Sequence, residues 1–97
     1  MKPHAFHPGA AAEYVAAAEY YQGISPELAV RFFKDVEFTI LRLRKNPEAF
    51  RRTSQRVRRA LCEDFPFAVL FVEEPDRIWI VAVMHGKRRP GYWGSRL

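Results

Sequence analysis

The sequence FPFAVLFVEEPDRIWIVAVMHGKRRPGYW, from Phe65 to Trp93, decides the fold of this chain. Two runs rich in β-branched and aromatic residues, Ala68–Val72 and Ile78–Met84, lie on either side of an acidic turn that contains a proline. This pattern predicts a β-hairpin. Neither run alternates cleanly between apolar and polar residues, so we expect both faces of the two strands to be covered and the strands to be central in a sheet.

The second run ends abruptly at a basic segment. After Met84 the chain continues as HGKRRPGYW, from His85 to Trp93. A buried strand therefore delivers a histidine, and then a basic tail edged by aromatic residues, to the surface. We predict that this junction is the functional end of the molecule.

The composition indicates one basic globular domain. The chain has 97 residues, of which 48% are hydrophobic, and a formal net charge of +5. These values indicate a single domain over residues 1–97 and exclude a disordered chain. Lysine and arginine concentrate between Arg42 and Arg59 and again between Lys87 and Arg96. This basic half favours an anionic partner, which would be RNA, DNA or an acidic protein segment; the alternative is a solvated basic surface.

Cysteine usage and the chain termini bear on the compartment. The single cysteine, Cys62, cannot form an internal disulfide, which fits a reducing compartment, and its apolar neighbours indicate a buried structural thiol. The N-terminus lacks an apolar signal segment, and no apolar run approaches the roughly 20 residues of a membrane span. We therefore expect a cytoplasmic protein that does not associate with membranes. His4 and His7 have no third ligand at metal spacing, so neither a metal site nor a cofactor is predicted.

The first quarter of the chain predicts an amphipathic helix over residues 9–22. Pro8 suits its first turn, Gly23 would supply a left-handed stop, and Ile24 would fold back as an apolar cap. Apolar residues recur at helical spacing along one face. These are Ala11, Tyr14, Ala18 and Tyr21.

A second helix follows at once. Ser25 and Pro26 form an N-cap and a first helical residue, and Asn46–Pro47 ends the run. Its apolar stripe consists of Ala29, Phe32, Phe33, Val36, Ile40 and Leu43. The short connection predicts that the two helices form an antiparallel hairpin.

The remaining residues complete a sheet. Residues 5–7 predict a short edge strand, residues 47–55 an exposed loop, and the alternation from Val57 to Leu61 a strand with one wet face. The predicted order is β-α-α-β-β-β. We expect an α+β fold in which one antiparallel sheet carries an N-terminal helical hairpin packed on one face.

The ordered set of motifs resembles a known family over nearly the whole chain. The motifs are the short first strand, the Ala/Tyr helix ending at Tyr20-Tyr21, the helix start Ser25-Pro26-Glu27-Leu28-Ala29, Phe32, Asn46-Pro47, Phe65-Pro66-Phe67 and the closing Ala82-Val83-Met84-His85 with Arg88-Arg89-Pro90 and Tyr92-Trp93. This set resembles the RelE/ParE superfamily of toxins from bacterial type II toxin–antitoxin modules. The resemblance implies a toxin that a cognate antitoxin wraps and neutralises, with the helical hairpin and the basic sheet face as the antitoxin-binding surface. It also implies that operator DNA is reached only through the antitoxin.

The superfamily divides by target. RelE-like members cut messenger RNA in the ribosomal A site, whereas ParE-like members poison DNA gyrase. The Phe-Pro-Phe strand and the His-x-x-Arg-x-Pro-x-x-Trp ending resemble the ParE-like, plasmid-stabilisation side, which favours gyrase as the target. The alternatives are a ribosome-dependent mRNA endoribonuclease and an inactive toxin remnant that only binds the antitoxin.

Each alternative assigns different residues. Metal-free RNA cleavage needs an acid or base with a pKa near the working pH and cations at the phosphate, so a nuclease would use His85 with Arg58, Arg88 and Tyr92. A gyrase-directed toxin would bind its target through Lys87, Arg89, Trp93, Arg56 and Arg59. Structural alternatives stand beside these roles, because a strand-end histidine is often a hydrogen-bonded structural residue and Trp93 would fold back on the core. The arginines at 51–59 would form partly a solvated loop and partly a binding site for an acidic antitoxin tail.

Overall fold

The computed structural model of the protein describes residues 1–54 and 56–97. In chain order the elements are β1 (His4–Phe6), α1 (Pro8–Ile24), α2 (Pro26–Lys45), β2 (Arg51–Arg52), β3 (Val57–Leu61), β4 (Phe67–Glu73) and β5 (Ile78–His85), with 3-10 turns at Pro47–Ala49 and Gly94–Arg96. The strands form one five-stranded sheet in the order β1-β5-β4-β3-β2. The two helices pack against one face of this sheet, so the predicted α+β class and helical hairpin are confirmed.

The sheet is mixed, which corrects the prediction of a purely antiparallel one. The first strand, β1, pairs in parallel with the start of β5, from His4 opposite Ile78 to Phe6 opposite Ile80. The other neighbours are antiparallel. The direction of β1 follows from the chain path, because the helical hairpin and three antiparallel strands intervene before β5 returns beside it.

Residues 47–54 of the predicted exposed loop are mostly exposed, but they are not wholly a loop. Pro47–Ala49 forms a 3-10 turn and Arg51–Arg52 pairs with β3 as a two-residue edge strand. No apolar alternation marks this strand in the sequence, because both of its residues are exposed. Gln55 lies outside the described residues.

The central position predicted for the hairpin strands is confirmed. β4 lies between β3 and β5, and its residues from Phe67 to Val72 are buried on both faces. The register shifts between Leu70 and Phe71, so that Leu70 pairs with Ala82 and Phe71 pairs with Ile80. Val81 is the extra residue in this bulge, and residues of β5 are buried on both faces of the sheet, which explains why β5 shows no clean alternation.

Ser25 joins the two helices. The first helix ends there, later than the sequence predicted. α1 continues through Gly23 to Ile24, and Ile24 is 60% exposed rather than folded back. Ser25 is extended, with φ −161°, because the residue before a proline disfavours the helical region. Its N–H donates to the Tyr21 carbonyl, and its hydroxyl accepts from the Leu28 N–H, so one residue caps both helices.

The face that α2 buries is close to the predicted stripe. Phe32, Val36, Ile40 and Leu43 are fully or nearly fully buried against the sheet, but Phe33 is 53% exposed. The same face also buries Thr39, whose hydroxyl donates to the Asp35 carbonyl, and Asp35 itself. The Asp35 carboxylate accepts three backbone N–H groups of the β3–β4 turn, from Glu63, Asp64 and Phe65, at 2.9 to 3.1 Å.

On α1, Tyr14, Ala18 and Tyr21 of the predicted stripe pack against the core, whereas Ala10 rather than Ala11 is fully buried. The opposite face of the sheet has a second, smaller apolar cluster. Val57, Leu70, Val72, Val81 and Ala82 form it together with Trp93 from the C-terminal segment. Within the described ranges, no helix is both long enough and apolar enough to cross a membrane.

Candidate functional site

The C-terminal segment is held by a clamp centred on Glu13, a residue of α1. The pairing of β1 with β5 ends at Ile80, which leaves the edge of β5 uncovered beyond that point. Glu13 Oε1 accepts the Val83 N–H at 3.0 Å, and Arg96 Nη1 donates to the Val81 carbonyl at 3.1 Å. Side chains thus satisfy the backbone groups that a longer β1 would have paired.

The Glu13 carboxylate also binds the two residues that fix the tail. The Arg96 guanidinium donates to both carboxylate oxygens, at 3.0 and 3.1 Å, and the Tyr92 hydroxyl donates to Oε2 at 2.6 Å. The Glu13 side chain is only 14% exposed, so these charge-assisted hydrogen bonds are partly shielded from water. Burial, and then the hydrogen bond to Glu13, raises the pKa of Tyr92 well above its usual range.

Gly9 makes room for the clamp. A Cβ atom on Gly9 would lie 2.6 Å from Arg96 Cζ and under 3 Å from two guanidinium nitrogens. Contacts that short do not occur between real atoms, so a side chain at position 9 would displace Arg96. The first turn of α1 and the end of the chain are therefore matched in shape.

The clamp fixes an exposed basic loop, Lys87–Arg89, between β5 and the tail. Trp93 folds back on the sheet and is only 6% exposed, as the structural alternative for this residue predicted. Arg88 lies over the Tyr92 ring, with Cζ 3.9 Å from the ring centre, and within 3.9 Å of Glu13. Lys87 and Arg89 remain exposed. The loop therefore leaves the sheet at His85 and is anchored again at Tyr92.

His85 lies on the helix side of the sheet. Its Nδ1 accepts the Lys87 N–H at 3.0 Å, so a neutral ring carries its proton on Nε2. The ring meets Phe67 edge-on at 5.1 Å and, with that residue, faces α1 across a hollow of about 390 Å³. Ala17, Tyr20, Tyr21 and Ile24 line the α1 side of this hollow.

The four residues assigned to a nuclease do not converge. Arg88 and Tyr92 are in contact, but Tyr92 packs on the sheet face opposite to that of His85. Arg58 is opposite Phe71, whereas His85 is opposite Phe67, so the two are separated by about 13 Å along β4 alone at roughly 3.3 Å per residue. Arg58 also donates to the Phe50 carbonyl at 2.8 Å.

The residues assigned to target binding do not form one cluster, because Arg56 lies before β3 near the Glu73 end of β4, whereas Lys87 lies after β5 near the Phe67 end. Lys87, Arg89 and Arg56 are exposed and Arg59 is partly exposed, whereas Trp93 is buried. Arg59 is opposite Leu70, so its side chain lies on the sheet face away from the helices. This placement leaves Trp93 as an anchor of the tail beneath the basic loop.

Glu13 and Gly9 were not singled out by sequence reasoning, and Arg96 was noted only as the end of the basic tail. Glu13 and Arg96 are 83 residues apart, and nothing local in either segment indicates their pairing. An acidic residue near the start of a helix is interpreted as a surface residue unless its ion-pair partner is known. The requirement for glycine at position 9 comes from the close approach of Arg96, which is distant in the sequence.

The described residues contain no group of three or more metal-ligating side chains. Cys62 is partly buried, and burial raises the pKa of its thiol to about 11, which keeps it protonated at neutral pH. A protonated thiol is a poor nucleophile.

The fold of this chain is also found in a solved structure. The chain matches a chain of the chromosomal ParDE TA system from P. aeruginosa with a TM-score of 0.75 and 22% sequence identity, over 88% of this chain and 96% of that one. No curated protein matches the sequence.

The sequence itself gives the family. The family model described as ParE toxin of type II toxin-antitoxin system, parDE, matches residues 5–90. The chain belongs to this family of toxins.

Proposed function

We propose that this ParE-family toxin inhibits DNA gyrase by protein–protein contact and that a cognate antitoxin neutralises it in the cytoplasm. The basic loop Lys87–Arg89 makes part of the contact with gyrase. The observation that supports this proposal is the clamp, in which Glu13, Tyr92 and Arg96 hold an otherwise exposed loop in one conformation. Preorganised loops lose less conformational entropy on binding.

The antitoxin binds mainly the helical hairpin. Four large apolar side chains on the outer side of α2 are exposed by 37 to 53%, namely Val30, Phe33, Phe38 and Leu41. Exposed apolar residues concentrated on one element are typical of a protein-interaction surface. An amphipathic segment of the antitoxin would cover them. Operator DNA would be bound through the antitoxin.

The decisive experiment is a supercoiling assay with purified gyrase and purified toxin. We expect wild-type protein to inhibit supercoiling, and Lys87→Glu with Arg89→Glu to abolish inhibition while antitoxin affinity is retained. Lys45→Glu is the matched control, because it reverses an exposed charge at the end of α2, outside the basic loop. Full supercoiling at saturating wild-type toxin would refute gyrase as the target.

Ribosome-dependent mRNA cleavage is the second candidate. It is favoured by one observation, the position of His85 directly before the basic loop. Primer extension on mRNA from translating ribosomes would reveal it as new cuts within A-site codons that vanish in His85→Ala. Gyrase inhibition should tolerate the same substitution. A protein that binds antitoxin but fails to slow growth when expressed alone would be an inactive remnant.

A further inference from the structure

We propose that a groove on the sheet face opposite the helices binds an acidic segment of the toxin's target protein and receives one large apolar side chain from it. The inference deepens the proposed function, on which it rests, by assigning a second part of the target contact. The groove has a volume of about 330 Å³ and opens to solvent. Its lining includes Arg59, Leu61, Pro66, Ala68, Met84 and Gly86.

Aliphatic side chains form the floor of the groove. One wall is formed by Leu61, which is unusually exposed for a strand residue. Leu61 is 60% exposed at the end of β3, although Ala68, directly opposite it on β4, is buried. Met84 continues the apolar surface on β5, opposite Ala68. A large apolar side chain seated between Leu61 and Met84 would therefore be removed from water on three sides, which is the usual source of affinity in such a pocket.

The positive charge beside the groove favours binding of an anionic group. Arg59 is directly opposite Arg51 of the edge strand, so the two side chains lie next to each other on the groove face. Like charges at directly opposite positions destabilise a sheet. An acidic partner would relieve this repulsion, because the strand residues on this face that the structure describes include no acidic side chain.

A protein segment fits the groove better than a nucleic acid. Single-stranded RNA and DNA bind to exposed aromatic rings on which their bases stack. Phe65 and Phe67, which border the groove, are only 8% and 9% exposed, and Tyr92 is tied to Glu13. The available surface thus combines aliphatic groups with cations, which matches a peptide that carries an apolar anchor beside carboxylates.

The position of the groove favours the target over the antitoxin. Gly86 lines it and continues directly into the basic loop Lys87–Arg89, so the groove and the loop form one continuous surface. The exposed apolar residues of α2, proposed above for the antitoxin, lie on the other side of the sheet. One partner can therefore occupy each side of the molecule.

The test separates apolar anchoring from folding. Leu61→Ser removes the exposed wall of the groove, and Leu61→Met preserves an apolar wall of similar size. We expect Leu61→Ser to need roughly tenfold to hundredfold more toxin for growth arrest, the range expected for loss of one buried apolar contact, and Leu61→Met to match wild type. Circular dichroism and antitoxin affinity of Leu61→Ser should remain those of wild type, because the side chain is mostly exposed.

Arg59 gives the corresponding test of charge. Arg59→Glu should reduce growth arrest at least tenfold, whereas Arg59→Lys, which keeps the charge, should retain most of it. Phe33→Ser on α2 is the matched control for the opposite side, and it should weaken antitoxin binding without reducing growth arrest.

Three results would overturn the inference. Unchanged growth arrest by Leu61→Ser would show that the groove is not used. Loss of antitoxin binding with growth arrest retained would assign the groove to the antitoxin. Binding of a labelled single-stranded RNA that is lost in Arg59→Glu but kept in Leu61→Ser would assign it to nucleic acid. If wild type arrests growth without inhibiting gyrase, the gyrase proposal fails alone, and the same variants still decide the groove.

Discussion

Arginine has two different uses in this molecule. Several guanidinium groups donate to backbone carbonyls at places where secondary structure leaves them unpaired. The donations are from Arg42 to Leu61, from Arg44 to Lys2, from Arg58 to Phe50 and from Arg96 to Val81, all at 2.8 to 3.1 Å. The formal net charge of +5 therefore suggests more cationic side chains available to an anionic partner than the fold leaves available. Arg51, Arg59, Lys87 and Arg89 are better candidates for that role.

Asp35 is a single residue on which a whole turn depends. Replacing it with alanine would leave three backbone N–H groups of residues 63–65 without their acceptor. The hydrogen bond from Phe65 is buried and the other two are partly buried, and unsatisfied donors away from water are costly, so we expect Asp35→Ala to lower the free energy of unfolding by about 3 kcal/mol. Urea denaturation measures this. Asp64→Ala, which removes an exposed carboxylate from the same turn, should change it little, and equal losses in both variants would contradict the assignment.

Tyr92 makes the stability of the fold sensitive to alkaline pH. Because its pKa in the folded state is raised above the ordinary value near 10, the folded protein holds this proton more tightly than the unfolded chain. Its contribution to stability is complete below about pH 10 and is lost as pH rises further toward the folded pKa. Tyr14 and Tyr21, whose pKa values are also raised by burial, act in the same direction.

We therefore expect the unfolding free energy to fall above about pH 10, and to fall less steeply in Tyr92→Phe. Urea denaturation between pH 8 and pH 11 measures the slope. Tyr20→Phe, which changes an exposed tyrosine near the C-terminal end of α1 and away from the clamp, should change the slope less than Tyr92→Phe does. Identical slopes for wild type and Tyr92→Phe would contradict the role of the clamp.

At the scale of elements, the apolar periodicity of the sequence predicted the features that depend on local sequence. Both helices, the central hairpin and the cap at Ser25 follow from local patterns and from the chemistry of single residues. The parallel pairing of β1, the bulge at Val81 and the clamp do not, because each depends on contacts between distant segments. The pairing register of β3 and β5 with β4 separates Arg58 from His85, and it too joins distant segments.

The apolar pattern also fails to distinguish a core from an interface. Phe33 was assigned to the core because its spacing fits the stripe of α2, yet it is 53% exposed. A helix that packs on the sheet with one side and binds a partner with another carries apolar residues on both. For this reason the candidate antitoxin surface was recognised from exposure in the structure and not from spacing.

Gly23 gives a test of the corrected helix end. It lies within α1, its φ is not in the left-handed region, and a Cβ there would meet no atom within 4 Å. We expect Gly23→Ala to raise the free energy of unfolding by about 0.5 to 1 kcal/mol, because alanine loses less backbone entropy in a helix.

Gly91→Ala is the matched comparison for that substitution. Gly91 has a φ of +78°, which an alanine adopts only with strain, so the same chemical change should there be destabilising. Thermal or urea unfolding of the two variants measures both effects. A loss of stability in Gly23→Ala would restore the left-handed helix stop that the sequence predicted.

At the scale of the whole molecule, the two faces of the sheet are covered unequally. The helices cover one face, and the C-terminal segment covers part of the other through Trp93. Truncation after Pro90 would remove both Trp93 and the guanidinium of Arg96. We expect a loss of about 4 kcal/mol or more in the free energy of unfolding, since truncating one buried tryptophan alone typically costs 3 to 5 kcal/mol.

Urea denaturation and the binding of a hydrophobic dye would measure the effect of this truncation. Deleting only Leu97, which is 54% exposed, is the control and should leave both signals near those of wild type. A truncated protein as stable as the full chain would show that the tail contributes nothing to covering the sheet.

The capped edges of the sheet bear on what the toxin does without its partner. Its outermost strands, β1 and β2, are three and two residues long, and the longer strands behind them end at side chains instead of open ladders. Short, charged and blocked edges prevent strands of neighbouring molecules from adding to a sheet. The toxin without a bound partner is thereby protected from edge-to-edge self-assembly, and its exposed apolar side chains stay accessible to a different protein.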